Sequence, residues 1–370
     1  MTNHVPSSAG PGLPSFHALE PYGWTPDRAE AYGRGFQPGC EPGRIVAATR
    51  GLVLAQTAHG ERWGVPTGCL RERLQRDGLS LCAGDWIILQ PNPGPSKASV
   101  IEWLPRGASL LRQGAGPGSR PQCLAANLDV VLLAMGLDRN FNPARMERLL
   151  ALAWGSGAQP VVVLTKRDLN AEWKAFSTRI EGIAPGVPVR AISAWRGEGL
   201  EALQDLLPVG HTGVMVGSSG AGKSTLLNAL MGSEVRRTQE VRASDGRGRH
   251  TTSLRELFLL PGGGCLIDTP GIREVGLCAE GSDLDTAFSD IAALTEDCRF
   301  RDCAHGAEPG CAVQAALAEG AIDPDRYGHY LRLRREAAFE AARSDEHLWR
   351  EREEKWRRIS RLQKHFKKGE

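Results

Sequence analysis

Two things are missing from this sequence, and each excludes something. No run of 18 apolar residues occurs, the longest candidate being the short stretch Val130–Gly136, so no membrane-spanning helix is expected. Net charge is also nearly absent, 45 Lys+Arg standing against 43 Asp+Glu for a formal +2. Such a balance argues against a nucleic-acid partner only if charge is spread evenly, because a sum over several domains can hide a basic one. Residues 1–16 have neither a basic start nor an apolar block, so no secretory signal is expected. The nine cysteines are an odd number; six are scattered, while Cys298, Cys303 and Cys311 crowd together. That pattern suits a reducing compartment and one metal site better than a disulfide framework, and a cytoplasmic protein is expected.

The 370 residues are enough for two or three domains, and 41% hydrophobic with 24% charged residues suits a chain that buries real cores. Residues 1–42 read as an extended or partly ordered lead-in with the aromatics Tyr22, Trp24 and Tyr32. Over 43–106, five short β-type runs punctuated by Gly and Asp predict a small barrel of the OB type that binds oligonucleotides, an SH3-like barrel giving much the same pattern. A Gly/Pro/Ser-rich linker follows at 107–126. From 127 to 277, buried-strand runs alternate with helical periods, predicting an α/β domain with a mostly parallel sheet. Residues 278–370 read as a helical domain around the cysteine knot.

Gly217-Ser218-Ser219-Gly220-Ala221-Gly222-Lys223-Ser224 fits G-x-x-x-x-G-K-[ST], followed by Thr225. It lies after an apolar strand and opens a helix, the context in which backbone N–H groups cradle phosphates, Lys223 reaches the terminal phosphates and Ser224 ligates Mg²⁺. Thr165-Lys166-Arg167-Asp168 ends another strand; the Asp168 carboxylate can accept both N–H groups of guanine's edge, which adenine does not offer. Ser193-Ala194 ends the next, where the Ala194 N–H could reach guanine O6. Asp268-Thr269-Pro270-Gly271 is a D-x-x-G, with Asp268 on Mg²⁺ and the Gly271 N–H near the γ-phosphate. In the basic stretch Arg247–Thr252, Thr251 or Thr252 can ligate Mg²⁺ when the γ-phosphate is present. The base-reading pair precedes the phosphate loop, the reverse of the usual order in small GTPases, so the G domain reads as circularly permuted.

Cys298, Cys303, His305 and Cys311 offer three thiolates and an imidazole within fourteen residues, the set of one structural, tetrahedral Zn²⁺. Beyond Asp325 the chain is helical, and residues 355–370 carry seven Lys or Arg against one acid. Beside a zinc knot and an OB-type barrel, that basic face is expected to touch RNA.

A barrel, T-K-x-D, S-A, the phosphate loop, G-R-H-T-T, D-T-P-G-I and C-x₄-C-x-H-x₅-C, in this order, resemble the bacterial ribosome small subunit-dependent GTPases of the RsgA (YjeQ/YloQ) family. Asn127-Leu128-Asp129 and Pro309-Gly310-Cys311 share the likeness. The resemblance implies an OB-type barrel, a permuted G domain and a zinc-binding C-terminal domain. It implies GTP hydrolysis that is stimulated by the 30S subunit, drives release and assists late subunit maturation, with 16S rRNA as partner and a monomeric chain. It supports Thr165, Lys166 and Asp168 for guanine, Gly217 to Thr225 for phosphates and the Cys₃His set for zinc. Thr165 departs from the Asn usual in GTPases, removing an amide that braces the base pocket. Ile272 follows the D-x-x-G where a Ras-like enzyme has a water-orienting Gln, so His250 in the first switch is the expected water-positioning residue, acting with Lys223. A metabolic P-loop kinase or ATPase is the rival reading, and Asp168 discriminates between them.

Overall fold

In the computed structural model the described residues are 16–34, 38–49, 51–93, 97–112, 121–235, 255–269, 281–306 and 308–344. A short 3₁₀ helix, His17–Tyr22, and helix α1, Pro26–Arg34, come first. Where it is described, the lead-in is therefore mostly helical, an ordered rather than extended segment. Phe16, Trp24 and Tyr32 meet edge to face, and Trp24 lies 5.0 Å from the Trp86 ring. Buried aromatic area drives this packing, and the Tyr32 hydroxyl finds the Cys40 carbonyl at 2.8 Å.

The β runs that follow close on themselves. Strands β1 (Glu41–Thr49), β2 (Leu52–Thr57), β3 (Gly60–Pro66), β4 (Trp86–Gln90) and β5 (Ala98–Trp103) are joined between β3 and β4 by helix α2 (Gly68–Arg76). β1 pairs antiparallel with β2 and β4, β2 with β3, and β4 with β5, while β3 and β5 run parallel. Five strands thus form a closed barrel around Ile45, Val53, Ala55, Ile87, Leu89 and Val100. The helix, absent from the sequence reading, starts where the Thr67 hydroxyl accepts the Leu70 N–H at 3.3 Å and plugs the barrel with Leu70 and Leu74.

Part of the expected linker is structured as well: β6 (Ser109–Arg112) and β7 (Gln122–Ala126) form an antiparallel hairpin. The chain then enters β8 (Val130–Gly136), helix α3 (Pro143–Trp154), β9 (Gln159–Thr165), helix α4 (Trp173–Ile183), β10 (Val189–Ala191), helix α5 (Glu201–Gln204), β11 (Thr212–Val216), helix α6 (Lys223–Met231), β12 (Glu256–Leu259) and β13 (Cys265–Asp268). The strand order is β10-β9-β8-β11-β13-β12, all parallel except β12. β8 and β11 are buried along their whole length, as expected of strands covered by helices on both faces. β12 also bridges to barrel strand β1 at Ala47↔Glu256, so barrel and α/β sheet share one eleven-stranded sheet.

Arg44 of β1 reinforces this joint. Its guanidinium is fully buried and donates to Tyr22 O at 2.7 Å, Asn127 O at 3.2 Å and Thr212 Oγ1 at 3.1 Å. It also lies over the Trp86 ring, 5.2 Å from its centre. Burial lowers its pKa to about 10, which leaves it charged at neutral pH. Since hydrogen bonds to a charged donor contribute about 1.5–3 kcal/mol each, Arg44→Met should destabilise the chain by roughly 3 kcal/mol or more. A urea midpoint followed by circular dichroism tests this, and an unmoved midpoint would mean the joint is held by packing alone.

Helices α7 (Gly281–Ala287), α8 (Ser289–Glu296), α9 (Ala312–Ala318) and α10 (Pro324–Ser344) complete the described chain. Their Leu284, Phe288, Ile291, Val313 and Tyr330 belong to the same apolar cluster as Met146, Leu149 and Leu150 of α3. Beside that seam, buried Arg326 donates to Glu147 at 2.9 Å and to Asp290 at 2.7 and 2.8 Å, while His329 Nδ1 lies 2.9 Å from Glu147. Burial raises the Glu147 carboxyl above its ordinary value despite Arg326. Burial would raise Asp290 too, but its bonds to Arg326 outweigh it and hold that carboxyl low. Among the described residues no helix is long and apolar enough to cross a membrane.

Candidate functional site

Parallel sheets bind ligands where loops leave the carboxyl ends of neighbouring strands. Here the ends of β9, β10, β11 and β13 carry the predicted residues. The loop after β11 turns sharply at Gly217, whose φ is 156°, and a Cβ there would stand 2.3 Å from Ala134 O; only glycine fits. Gly220 and Gly222 have φ of 81° and 84°, left-handed values that bend the loop into the start of α6. Ala221 is buried within it. Lys223 at the helix start folds back over the loop, its Nζ 2.6 Å from Gly217 O and 2.9 Å from Ser218 O. Burial lowers its pKa, against the attraction of Asp268. Ser224 and Thr225 follow in the first turn of α6, where helix-end N–H groups favour anions.

Thr165 closes the gap between β9 and this loop. Its hydroxyl donates to Ala221 O at 2.7 Å, and a Cβ on Gly222 would lie 3.2 Å from Thr165 Oγ1. The side chain noted for its missing amide therefore braces the phosphate loop. Lys166 adopts a left-handed φ of 60°, rare outside glycine, and its ammonium pairs with Asp138 at 2.7 Å. Asp168 Oδ1 accepts the Ser193 hydroxyl at 2.6 Å, so the ends of β9 and β10 are tied together. The 193–198 turn is closed by reciprocal backbone bonds between Ser193 and Glu198, and it carries Ala194 and Trp195, the latter 85% exposed. Arg167 is drawn aside: its guanidinium lies 4.3 Å from the centre of the Trp173 ring.

Three residues that the motifs did not flag hold this end of the sheet. Asn140 accepts the Ser218 hydroxyl at 2.9 Å and donates to Ser219 O at 3.3 Å, and Arg145 donates to Ser218 Oγ at 3.0 Å. Asp138 is the partner of Lys166. All three follow β8, which lies between β9 and β11; the signal for them was that strand's central position rather than any residue pattern.

On the β13 side, Asp268 is buried and the Thr269 hydroxyl donates to Met215 O at 2.6 Å. Hydroxyl and carboxylate donors such as Ser224 and Asp268 suit a hard cation like Mg²⁺. Gly271, and Arg247, Arg249, His250, Thr251 and Thr252 of the first switch, lie outside the described residues. So do Ile272 and the basic stretch 355–370.

Cys298, Cys303, His305 and Cys311 converge, their ligand atoms all within 4.8 Å of one another. His305 Nδ1 lies 3.5 Å from Cys298 Sγ and 3.7 Å from Cys311 Sγ, and those two sulfurs are 3.9 Å apart. A tetrahedron with metal–sulfur bonds of about 2.3 Å and metal–nitrogen of about 2.0 Å has edges of roughly 3.5–3.8 Å, so the set is compatible with zinc. His305 is held with φ 56°, and its carbonyl accepts from Gln314 at 2.6 Å and the Tyr327 hydroxyl at 3.1 Å. Such outer bonds fix a ligand's orientation.

A parallel sheet with the P-loop motif after its central strand, and the T-K-x-D and S-A motifs on strand ends earlier in the chain, defines a circularly permuted P-loop GTPase. Residues 103–278 match the model of the RsgA GTPase family. A protein of Streptomyces coelicolor named small ribosomal subunit biogenesis GTPase RsgA is 44% identical over 336 residues, 89% of each chain. A protein of the same name from Leptospira interrogans is 40% identical over 352 residues, covering 94% of this chain and 97% of its own. The chain belongs to the RsgA GTPase family. The crystal structure of YjeQ from Thermotoga maritima superposes with a TM-score of 0.59 at 26% identity, over 81% of this chain and 99% of that one. YloQ, described as a circularly permuted GTPase, shares the fold with a TM-score of 0.55 over 81% of this chain and 95% of its own.

Proposed function

We propose that this chain is a GTPase that binds the small (30S) ribosomal subunit, assists its late maturation and is released as GTP is hydrolysed. The observation that carries the nucleotide reading is the Thr165–Ala221 bond at 2.7 Å, which joins the guanine-side strand end directly to the phosphate loop. The names of the relatives support the ribosomal partner. In this reading Thr165, Lys166, Arg167, Asp168, Ser193 and Ala194 face the base, and residues 217–225 hold the phosphates. Arg167 contributes backbone only, since its side chain packs on Trp173. Lys223 stabilises charge on the phosphoryl group under attack. Mg²⁺ bound with GTP, held by Ser224, Asp268 and Thr251 or Thr252, would neutralise charge on the β- and γ-oxygens. Gly271 senses the γ-phosphate, and His250 positions the attacking water. Zinc on Cys298, Cys303, His305 and Cys311 is structural, because four protein ligands leave no open position.

The domain limits 43–106, 127–277 and 278–370 belong to the same proposal, as do a cytoplasmic location, a monomeric state and contacts to 16S rRNA from the barrel, the first switch and the basic tail. Turnover of GTP with and without purified 30S subunits is the direct test: stimulation is expected, and equal turnover would defeat the reading. His250→Ala should abolish most of the stimulated rate, about a hundredfold for a lost water-positioning group, with GDP affinity near normal. Unchanged stimulated turnover would remove His250 from the mechanism.

A further inference from the structure

Neither the nucleotide site nor the Cys₃His cluster uses Cys82 or Cys123, yet the two meet. Cys82 lies between α2 and β4, on the barrel; Cys123 is the second residue of β7, on the hairpin that leads into the α/β domain. Though 41 residues apart in sequence, their sulfurs are 3.0 Å apart, with the Cys82 thiol donating to Cys123 Sγ. Each residue is only 4% exposed, and Leu111 and Ala126 pack around them.

Their surroundings carry both signs of charge, Asp85 raising both thiols and Arg106 lowering them. Arg106 chelates Asp85 through Nε at 2.6 Å and Nη2 at 2.7 Å, and the same Nη2 lies 3.9 Å from Cys82 Sγ. Asp85 in turn accepts the Cys82 backbone N–H at 2.9 Å, fixing where that thiol sits. Arg255, just before β12, also acts electrostatically on both thiols. Thiolate is the reactive form of cysteine, and neighbouring cations together with a hydrogen-bonding thiol favour it. The bond from Cys82, helped by Arg106, holds the Cys123 thiol below its ordinary value despite burial, while burial pushes Cys82 up.

We propose that Cys82 and Cys123 are a peroxide-reactive dithiol site whose oxidised form is a disulfide tying the barrel to the β6–β7 hairpin. The Cys123 thiolate attacks one oxygen of hydrogen peroxide; the O–O bond breaks, Cys123 becomes a sulfenic acid and hydroxide leaves, taking up a proton. The Cys82 sulfur then attacks the sulfenic sulfur, an S–S bond forms and water departs with the Cys82 proton. With hydrogen peroxide, two thiols and one peroxide give one disulfide and two waters. A thiol reductant reverses the reaction by exchange. Because the two sulfurs already touch, the cross-link needs little rearrangement of the folded chain, while it shortens the freedom of the unfolded one.

The test uses the full-length protein treated with hydrogen peroxide, alkylated under denaturing conditions and digested for mass spectrometry. A linked Cys82–Cys123 peptide in most molecules is expected, lost on adding dithiothreitol, together with a thermal midpoint a few degrees higher. Cys82→Ser should leave a sulfenic acid at Cys123 that a dimedone-type reagent traps, whereas Cys123→Ser should give neither product. Recovery of both cysteines as free alkylated thiols from the treated wild-type chain, or overoxidation of Cys123 with no linked peptide, would overturn the proposal. Peptide-level detection keeps the result separate from oxidation of Cys298, Cys303 or Cys311.

Discussion

Asp168→Asn should weaken GTP and GDP binding by about a thousandfold, since two hydrogen bonds to a carboxylate contribute about 1.5–3 kcal/mol each. The same variant should bind xanthosine nucleotides better than the wild type does. Xanthine carries a carbonyl where guanine has its amino group, and an amide can donate to that carbonyl where a carboxylate repels it. The structure strengthens this expectation, because Ser193 holds Asp168 Oδ1 at 2.6 Å and so fixes the carboxylate's plane. An Asn in this position can still accept from Ser193, so the fold of the two strand ends survives and the change reads out on the base alone. Competition between GDP and XDP for the variant decides the matter; equal GTP affinity in both proteins would show that Asp168 does not read the base, and would favour the kinase or ATPase reading.

Removal of the zinc proposed for the Cys₃His set should have the second large effect. Structural zinc contributes about 10 kcal/mol or more to small domains that depend on it, and the Cys₃His cluster lies among helices α8, α9 and α10. Cys311→Ala, or strong chelation, should therefore leave residues 281–344 open to proteolysis. Since α3 shares one apolar cluster with these helices, its own protection should fall too, whereas the barrel, which has a separate core, should stay resistant. Metal content by elemental analysis, set beside the proteolytic pattern, checks both halves. A chain that contains no zinc as purified and is equally protease-resistant would remove zinc from the account.

Much of this was legible because it is local. The five barrel strands announce themselves as short β-type runs punctuated by Gly and Asp, and the phosphate loop as a motif in its strand–helix setting. What escaped depends on partners distant in sequence. The lead-in looks like a turn-rich segment until Trp86 supplies a surface for Trp24, and the β6–β7 hairpin looks like a linker because its pairing skips across glycines. Asp138, Asn140 and Arg145 obey no spacing rule; they matter because β8 lies between the two functional strands. Thr165 was read for the amide it lacks, and its contact with Ala221, 56 residues away, is visible only in three dimensions. Arg167, the variable position of T-K-x-D, has its side chain taken up by Trp173, another contact that only the fold shows.

The bridge between Ala47 and Glu256 has a mechanical consequence. A sheet held by backbone hydrogen bonds resists shear in its own plane, and Arg44 pins the same joint from below, so the barrel and the nucleotide sheet turn together as one stiff arm.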